Sequence, residues 1–179
     1  MRALYFAYGS NMDEGEIRDH CPSCRYLGPA CLKAHRLAFT RRSIRSGTGV
    51  ADVLPAAGHE VWGALYELDE EDLDALDRKE GRGWAYARDE KRVRLSTDGS
   101  EHDVIVYTVV SKEPAEVPPS REYLARLIAA AGRRELPGAY VAMLERTGSS
   151  AACTARAEPD DRREREATGE DGPEGSSAG

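Results

Sequence analysis

At 179 residues the chain suits one domain, since a domain takes roughly 150 residues. Its formal net charge of −7 and pI near 5.2 argue against a nucleic-acid partner, which needs a basic face to release counterions from phosphate. No apolar stretch approaches the ~20 residues that cross a bilayer, so no membrane partner is expected.

Met1-Arg2-Ala3-Leu4-Tyr5 enters a strand at once, with no apolar run and small-residue cleavage site, so no signal peptide is read and a cytoplasmic location is expected. Residues 3–8 alternate and carry Tyr and Phe, which predicts a strand; a short acidic helix follows over 13–20 with Met12 and Ile17 turned inward. Residues 32–40 and 50–54 read as strands around a basic, glycine-bearing segment, 41–49, expected to be a mobile loop. Residues 60–68 give the next strand, with Gly63 where another backbone can pass close. A helix comes directly after it, capped by Asp69, acidic in its first turn and closed by Gly81.

Residues 86–95 and 103–110 form a further strand pair about the turn Thr97-Asp98-Gly99-Ser100. Pro118-Pro119 breaks the chain before Ser120, which caps an amphipathic helix to about Arg133, and Leu136-Pro137 starts one more. From Gly148 the apolar period stops, so residues 1–147 are read as the domain and 148–179 as a disordered acidic tail. Beyond Ser150 four Arg stand against eight acids, so the tail carries four of the seven negative charges. The whole predicts an α+β domain, a small mixed β-barrel with peripheral helices, without a repeated βαβ rhythm.

Two places carry chemistry. The first is Tyr5-Phe6-Ala7-Tyr8-Gly9-Ser10-Asn11, a strand running straight into three small residues. If Gly9 takes positive φ, the amides of Gly9, Ser10 and Asn11 converge into a nest for a carboxylate or oxyanion. The same tripeptide also suits an ordinary β-turn. Eight tyrosines against two phenylalanines favour a polar, Tyr-lined pocket, because Tyr buries a ring and still offers a hydroxyl.

The second is Glu80. Leu73 and Leu76 mark the apolar stripe of the 69–80 helix, and Glu80 continues it at i+7 and i+4. It also stands in the last turn, where the helix dipole disfavours negative charge, so stripe and dipole both raise its pKa. A carboxylate placed against its local preference is a functional candidate; a frayed helix end with a solvated Glu fits the same spacing. Asp74 and Asp77 lie on other faces of the helix.

Residues 5–12, Glu60-Val61-Trp62-Gly63 and Leu76-Asp77-Arg78-Lys79-Glu80-Gly81 together resemble the gamma-glutamylcyclotransferase family in order and spacing. Ser120-Arg121-Glu122-Tyr123 and Leu136-Pro137-Gly138-Ala139-Tyr140 are similar to its closing helices, so the likeness spans about residues 3–145. The resemblance implies a small barrel ringed by helices and release of 5-oxoproline from a gamma-glutamyl amide. It implies that Tyr5, Phe6, Ala7, Tyr8, Gly9, Ser10 and Asn11 hold the substrate's amino-acid end, with Glu80 as catalytic acid/base and Tyr123 as a substrate contact. Tyr86 falls one residue short of a family Tyr, and Tyr107 is a weaker candidate. No cofactor or metal is implied; the partner is a small-molecule gamma-glutamyl substrate, and the protein is a monomer or homodimer.

Such a reaction needs no protein nucleophile, because the substrate's own α-amine attacks its γ-carbonyl. The chain offers no convincing Ser/His/Asp or Cys/His set, and His20, His35, His59 and His102 have no ligand spacing. Three alternatives stay open: a binding module that keeps the pocket without chemistry, a relative that trims a gamma-glutamyl group from a larger metabolite, and a zinc or redox protein working through Cys21 and Cys24. The last rests on a lone CxxC, and the four cysteines are expected to be free thiols in a reducing cytosol.

Overall fold

A computed structural model describes residues 2–154, the last seven by their backbone alone. Five strands close a barrel in the order β1-β3-β2-β4-β5: β1 (Ala3–Ala7), β2 (Arg25–Arg42), β3 (Gly49–Leu68), β4 (Tyr86–Leu95) and β5 (Glu101–Val109). Neighbours pair antiparallel except β1 with β5, which makes the sheet mixed. Four helices are appended, α1 (Glu14–Arg18), α2 (Glu70–Glu80), α3 (Arg121–Arg133) and α4 (Gly138–Thr154), and a 3-10 turn, Ser10–Met12, leads from β1 into α1.

The expected α+β barrel with peripheral helices is therefore observed. The caps at Asp69 and Ser120 are also where the sequence puts them, accepting from the amides of Asp72 and Tyr123, and Asp13, expected inside the first helix, instead caps it by accepting from Gly15 and Glu16. Each fills an orphan N–H at a helix start.

The middle strands are longer than predicted. Residues 50–54 and 60–68, expected as two strands, belong to one. The register jumps from Lys33↔Glu60 to His35↔Pro55, so residues 56–59 bulge out and the ribbon continues beyond them. Arg41 and Arg42 end β2 and are not in a loop. The connection that follows is a hydrogen-bonded turn, in which the Ser43 amide donates to Thr48 O and the Gly47 amide to Ser43 O, both at 2.8 Å. At the other end α4 reaches Thr154, past the expected boundary at 147; residues 155–179 lie outside the described residues.

Two joins hold the barrel shut. β1 and β5 meet at the parallel pair Tyr5↔Ile105, and β2 and β4 at Ala30↔Leu95 and Cys31↔Arg94. Gly63 makes the close approach expected of it, since a Cβ there would lie 2.2 Å from the Ala7 carbonyl oxygen. Phe6, Leu65, Val106, Leu76, Leu127 and Leu144, all at most 1% exposed, join strands and helices in one core.

Candidate active site

The turn after β1 is held from outside the strand. The Met12 carbonyl accepts from Arg134 Nε at 2.9 Å and from Tyr66 Oη at 3.3 Å. Arg134 is buried against the rings of Tyr26 and Tyr66, 4.3 and 5.6 Å from their centroids. Met12 and Asp13 amides return to Gly9 O and Ser10 O at 3.0 Å. The first amides of such a turn have no acceptor within it. Gly9 has φ −109°, so the expected positive φ does not occur, and the turn is shaped by these bonds.

Glu80 is delivered by α2. Leu76, fully buried, sets the helix against the core, and Gly81 ends it in the left-handed region at φ 62°. A Cβ at Gly81 would meet the Trp84 ring at 2.5 Å, so the stop directly after Glu80 requires glycine. Asn11 Nδ2 donates to Glu80 Oε1 at 2.9 Å and to Tyr5 Oη at 2.8 Å, while Asn11 Oδ1 accepts from Lys79 Nζ. Burial raises the Glu80 pKa above the usual carboxylate value; the Lys79 charge and the Asn11 hydrogen bond oppose that rise.

Glu80 opens on a narrow inner cavity of about 50 Å³, lined by Tyr5, Tyr8, Ser10, Asn11, Ala51, Tyr86, Tyr107 and Tyr123 among others. The tyrosines are tied down. Tyr8 Oη donates to the Tyr107 carbonyl at 2.5 Å and Tyr107 Oη to Asp77 at 2.7 Å. Tyr86 Oη donates to Ala51 O, and the Ala51 amide donates to Tyr123 Oη, both at 3.2 Å. Burial pushes the Tyr123 phenol up to about 12, against the opposing Ala51 bond. Tyr5, Tyr8 and Tyr86 are raised for the same reason, so these hydroxyls stay neutral. Ser10, Glu80, Tyr86 and Tyr123 also border a larger outer cleft of about 490 Å³.

Residues 5–125 match the family described as Gamma-glutamyl cyclotransferase, AIG2-like. The chain belongs to this family. Its members cyclise gamma-glutamyl compounds to 5-oxoproline. The chain is 30% identical over 142 residues to the Gamma-glutamylcyclotransferase of Homo sapiens, covering 76% of this chain and 74% of the human protein. It is 32% identical over 143 residues to that of Bos taurus, with the same 76% and 74% covered. A solved structure of a gamma-glutamyl cyclotransferase superposes with a TM-score of 0.75 at 29% identity, over 81% of this chain and 87% of that one.

Within this gamma-glutamylcyclotransferase barrel, the cavity brings together Tyr5, Tyr8, Gly9, Ser10, Asn11, Glu80 and Tyr123 of the expected site residues. Phe6 and Ala7 do not line it: Phe6 is fully buried with its ring 6.4 Å from that of Tyr8, and the Ala7 carbonyl abuts Gly63. Tyr86, doubtful on spacing, is a cavity wall; so is Tyr107, although its hydroxyl is committed to Asp77. Asp77 is fully engaged. Burial would raise its pKa, but Tyr107, Arg88 and Arg82 donate to its carboxylate and hold it below the ordinary value.

Ala51 went unnoticed in the sequence because it contributes only its peptide groups, which no side-chain signal reports. Asp52 beside it, 0% exposed, was also missed. Cys21 and Cys24 are buried in the loop before β2, and Cys21 Sγ lies 3.4 Å from the Asp72 carbonyl.

Proposed function

We propose that this chain converts a gamma-glutamyl amide to 5-oxoproline and a free amine, with Glu80 as the proton relay. The observation that carries the reading is the Glu80 carboxylate, raised in pKa and aimed by Asn11 into a Tyr-walled cavity.

An α-ammonium with a pKa near ~8 must be deprotonated before its nitrogen attacks. A carboxylate whose pKa is raised toward neutrality is a better base for that transfer and a competent acid afterwards. Glu80 takes a proton from the ammonium, and the nitrogen closes a five-membered ring on the γ-carbonyl. The C–N bond to the leaving amine then breaks as Glu80 returns the proton to the departing nitrogen. Over the whole reaction the attacking nitrogen loses two protons and the leaving nitrogen gains two, so no oxidant and no water is consumed.

Fixed tyrosines supply the rest. Holding amine and carbonyl in attack geometry is worth up to ~7–11 kcal/mol, and a cavity whose hydroxyls are already bound to backbone groups or to Asn11 and Asp77 does not have to reorganise. The free amides of the Ser10 turn serve as donors to the substrate's α-carboxylate or to the developing oxyanion. A cytoplasmic location belongs to this reading and is supported by three free thiols, Cys21, Cys24 and Cys31.

Glu80→Gln keeps the shape and removes the relay. Release of 5-oxoproline from gamma-glutamyl-alanine, followed by mass spectrometry, is expected to fall by about 10² or more with the melting temperature kept. Release as fast as wild type overturns the reading.

A further inference from the structure

The outer cleft is positive in a protein of net charge −7. Arg41, Arg42, Arg45, Lys79 and Arg126 line it against Glu16 and Glu80. Three of these cations are matched within the protein. Arg42 lies 3.9 Å from Glu113 and donates to Gly47 O at 3.1 Å; Lys79 and Arg126 lie 3.7 and 4.0 Å from Glu16. Among the described residues, Arg41 and Arg45 make no ion pair. Arg41 instead sits over the Trp84 ring, 5.2 Å from its centroid. A stacked guanidinium keeps its edge donors available for an anion.

The position of the cleft gives this charge a purpose. Ser10, Glu80, Tyr86 and Tyr123 border both spaces, so a nitrogen that takes its proton from Glu80 stands at their junction. If the glutamyl part fills the narrow inner cavity, whatever leaves lies in the cleft. The cleft's volume of about 490 Å³ falls within the roughly 300–1,000 Å³ typical of sites for drug-sized ligands. Trp84 at 59% and Ile44 at 83% exposure add apolar surface beside the two unmatched cations.

We propose that the outer cleft holds the leaving group and selects gamma-glutamyl compounds whose departing amine carries two or more negative charges, carboxylate or phosphate, read by Arg41 and Arg45. This rests on cyclisation taking place in the inner cavity. A single anion leaves one of the two guanidiniums unmatched, and a cationic leaving group meets repulsion from both. The charged walls also raise the local concentration of such substrates.

The test is a series in which only the leaving group changes: gamma-glutamyl-aspartate, gamma-glutamyl-phosphoserine, gamma-glutamyl-alanine, gamma-glutamyl-methylamide and a gamma-glutamyl conjugate of lysine amide. The first two separate carboxylate from phosphate as the second anion. At low salt, kcat/KM for the better of these two is expected to exceed that for the methylamide about tenfold, and the ratio should fall as the Debye length shrinks from about 30 to about 3 Å. Arg41→Ala and Arg45→Ala should each reduce that ratio about threefold or more, with unchanged melting showing that both variants fold. A flat series, or a preference for the lysine conjugate, overturns the proposal.

Should no compound yield 5-oxoproline, the catalytic reading fails, and the cleft is then read by calorimetry on Glu80→Gln. Tighter binding of gamma-glutamyl-aspartate than of the methylamide, weakened by adding Arg45→Ala, supports the proposal. Equal affinities sink it.

Discussion

Asn11 Nδ2 donates to Glu80 Oε1 at 2.9 Å across 69 positions of sequence, and the carbonyl end of the same amide accepts from Lys79, the residue next to Glu80. One side chain from the first turn thus aims the carboxylate and holds the cation that tempers it.

The pH dependence follows from this pair. Lys79 and Asn11 both favour ionised Glu80, and in the proposed relay the ionised form is the one that accepts the first proton. Lys79→Gln and Asn11→Ala each remove a stabiliser of the charge, so the Glu80 pKa rises and the acid limb of the kcat/KM profile moves to higher pH. Asn11→Ala should also lower kcat about tenfold or more through lost aim. An acid limb that stays put in both variants contradicts Glu80 as the base.

Asp52 is the main buried charge beside the site. Its carboxylate accepts from Thr40 Oγ1 and Lys112 Nζ at 2.7 Å, and from the amides of Val53 and Val109 at 2.9 and 3.1 Å. Asp52→Ala takes this acceptor from Thr40 and from the Val53 and Val109 amides, while Lys112 keeps the Val109 carbonyl at 2.7 Å; buried donors left unsatisfied cost about 1–3 kcal/mol. At roughly 2–4 °C per kcal/mol for a chain of this size, thermal melting should show a fall of about 2–12 °C. A wild-type melting curve would refute the assignment.

Gly81 ties helix ending to Glu80. An alanine there carries the cost of a left-handed residue, about 1–2 kcal/mol, and drives its methyl into Trp84. Gly81→Ala is expected to lose stability by at least that amount in chemical denaturation and to lower kcat as well, because the last turn of α2 shifts. Adding Trp84→Ala should recover part of the stability, since it removes the clash and leaves only the backbone strain.

The cysteines should be unreactive in the native protein. Burial pushes the Cys21 and Cys31 thiols up to about 12, which leaves under about one in ten thousand as thiolate near pH 7.5. Iodoacetamide at that pH should leave both unmodified while labelling them in denaturant, with activity retained. Rapid native labelling of Cys21 together with loss of activity would revive a thiol role.

What could be read from the sequence was local. The strand into Gly-Ser-Asn, the caps at Asp69 and Ser120 and the placement of Glu80 depend on residues within a turn or two of each other, where spacing decides the face. The other half of the cavity arises from distant pairings. Ala51 meets Tyr123 across 72 positions and Tyr86 across 35, and Arg134 fixes the Met12 carbonyl across 122. Periodicity carries no trace of such contacts. The positive φ expected of Gly9 failed for the same reason, because Arg134 and Tyr66 set the turn from outside its own sequence.

The two narrow joins of the barrel bear on how the cavity comes apart. β4 and β5 pair with each other from Tyr86↔Val109 to Arg94↔Glu101 but meet the other strands over only one or two positions. They carry Tyr86 and Tyr107, so this hairpin forms one side of the cavity. Tyr8, bonded to the Tyr107 carbonyl, ties the end of β1 to this hairpin. Hydrogen exchange should find β4 and β5 the first strands to lose protection, and added substrate should slow them. In rising denaturant, catalysis is then extinguished while α2 and the β1-β3-β2 sheet still stand.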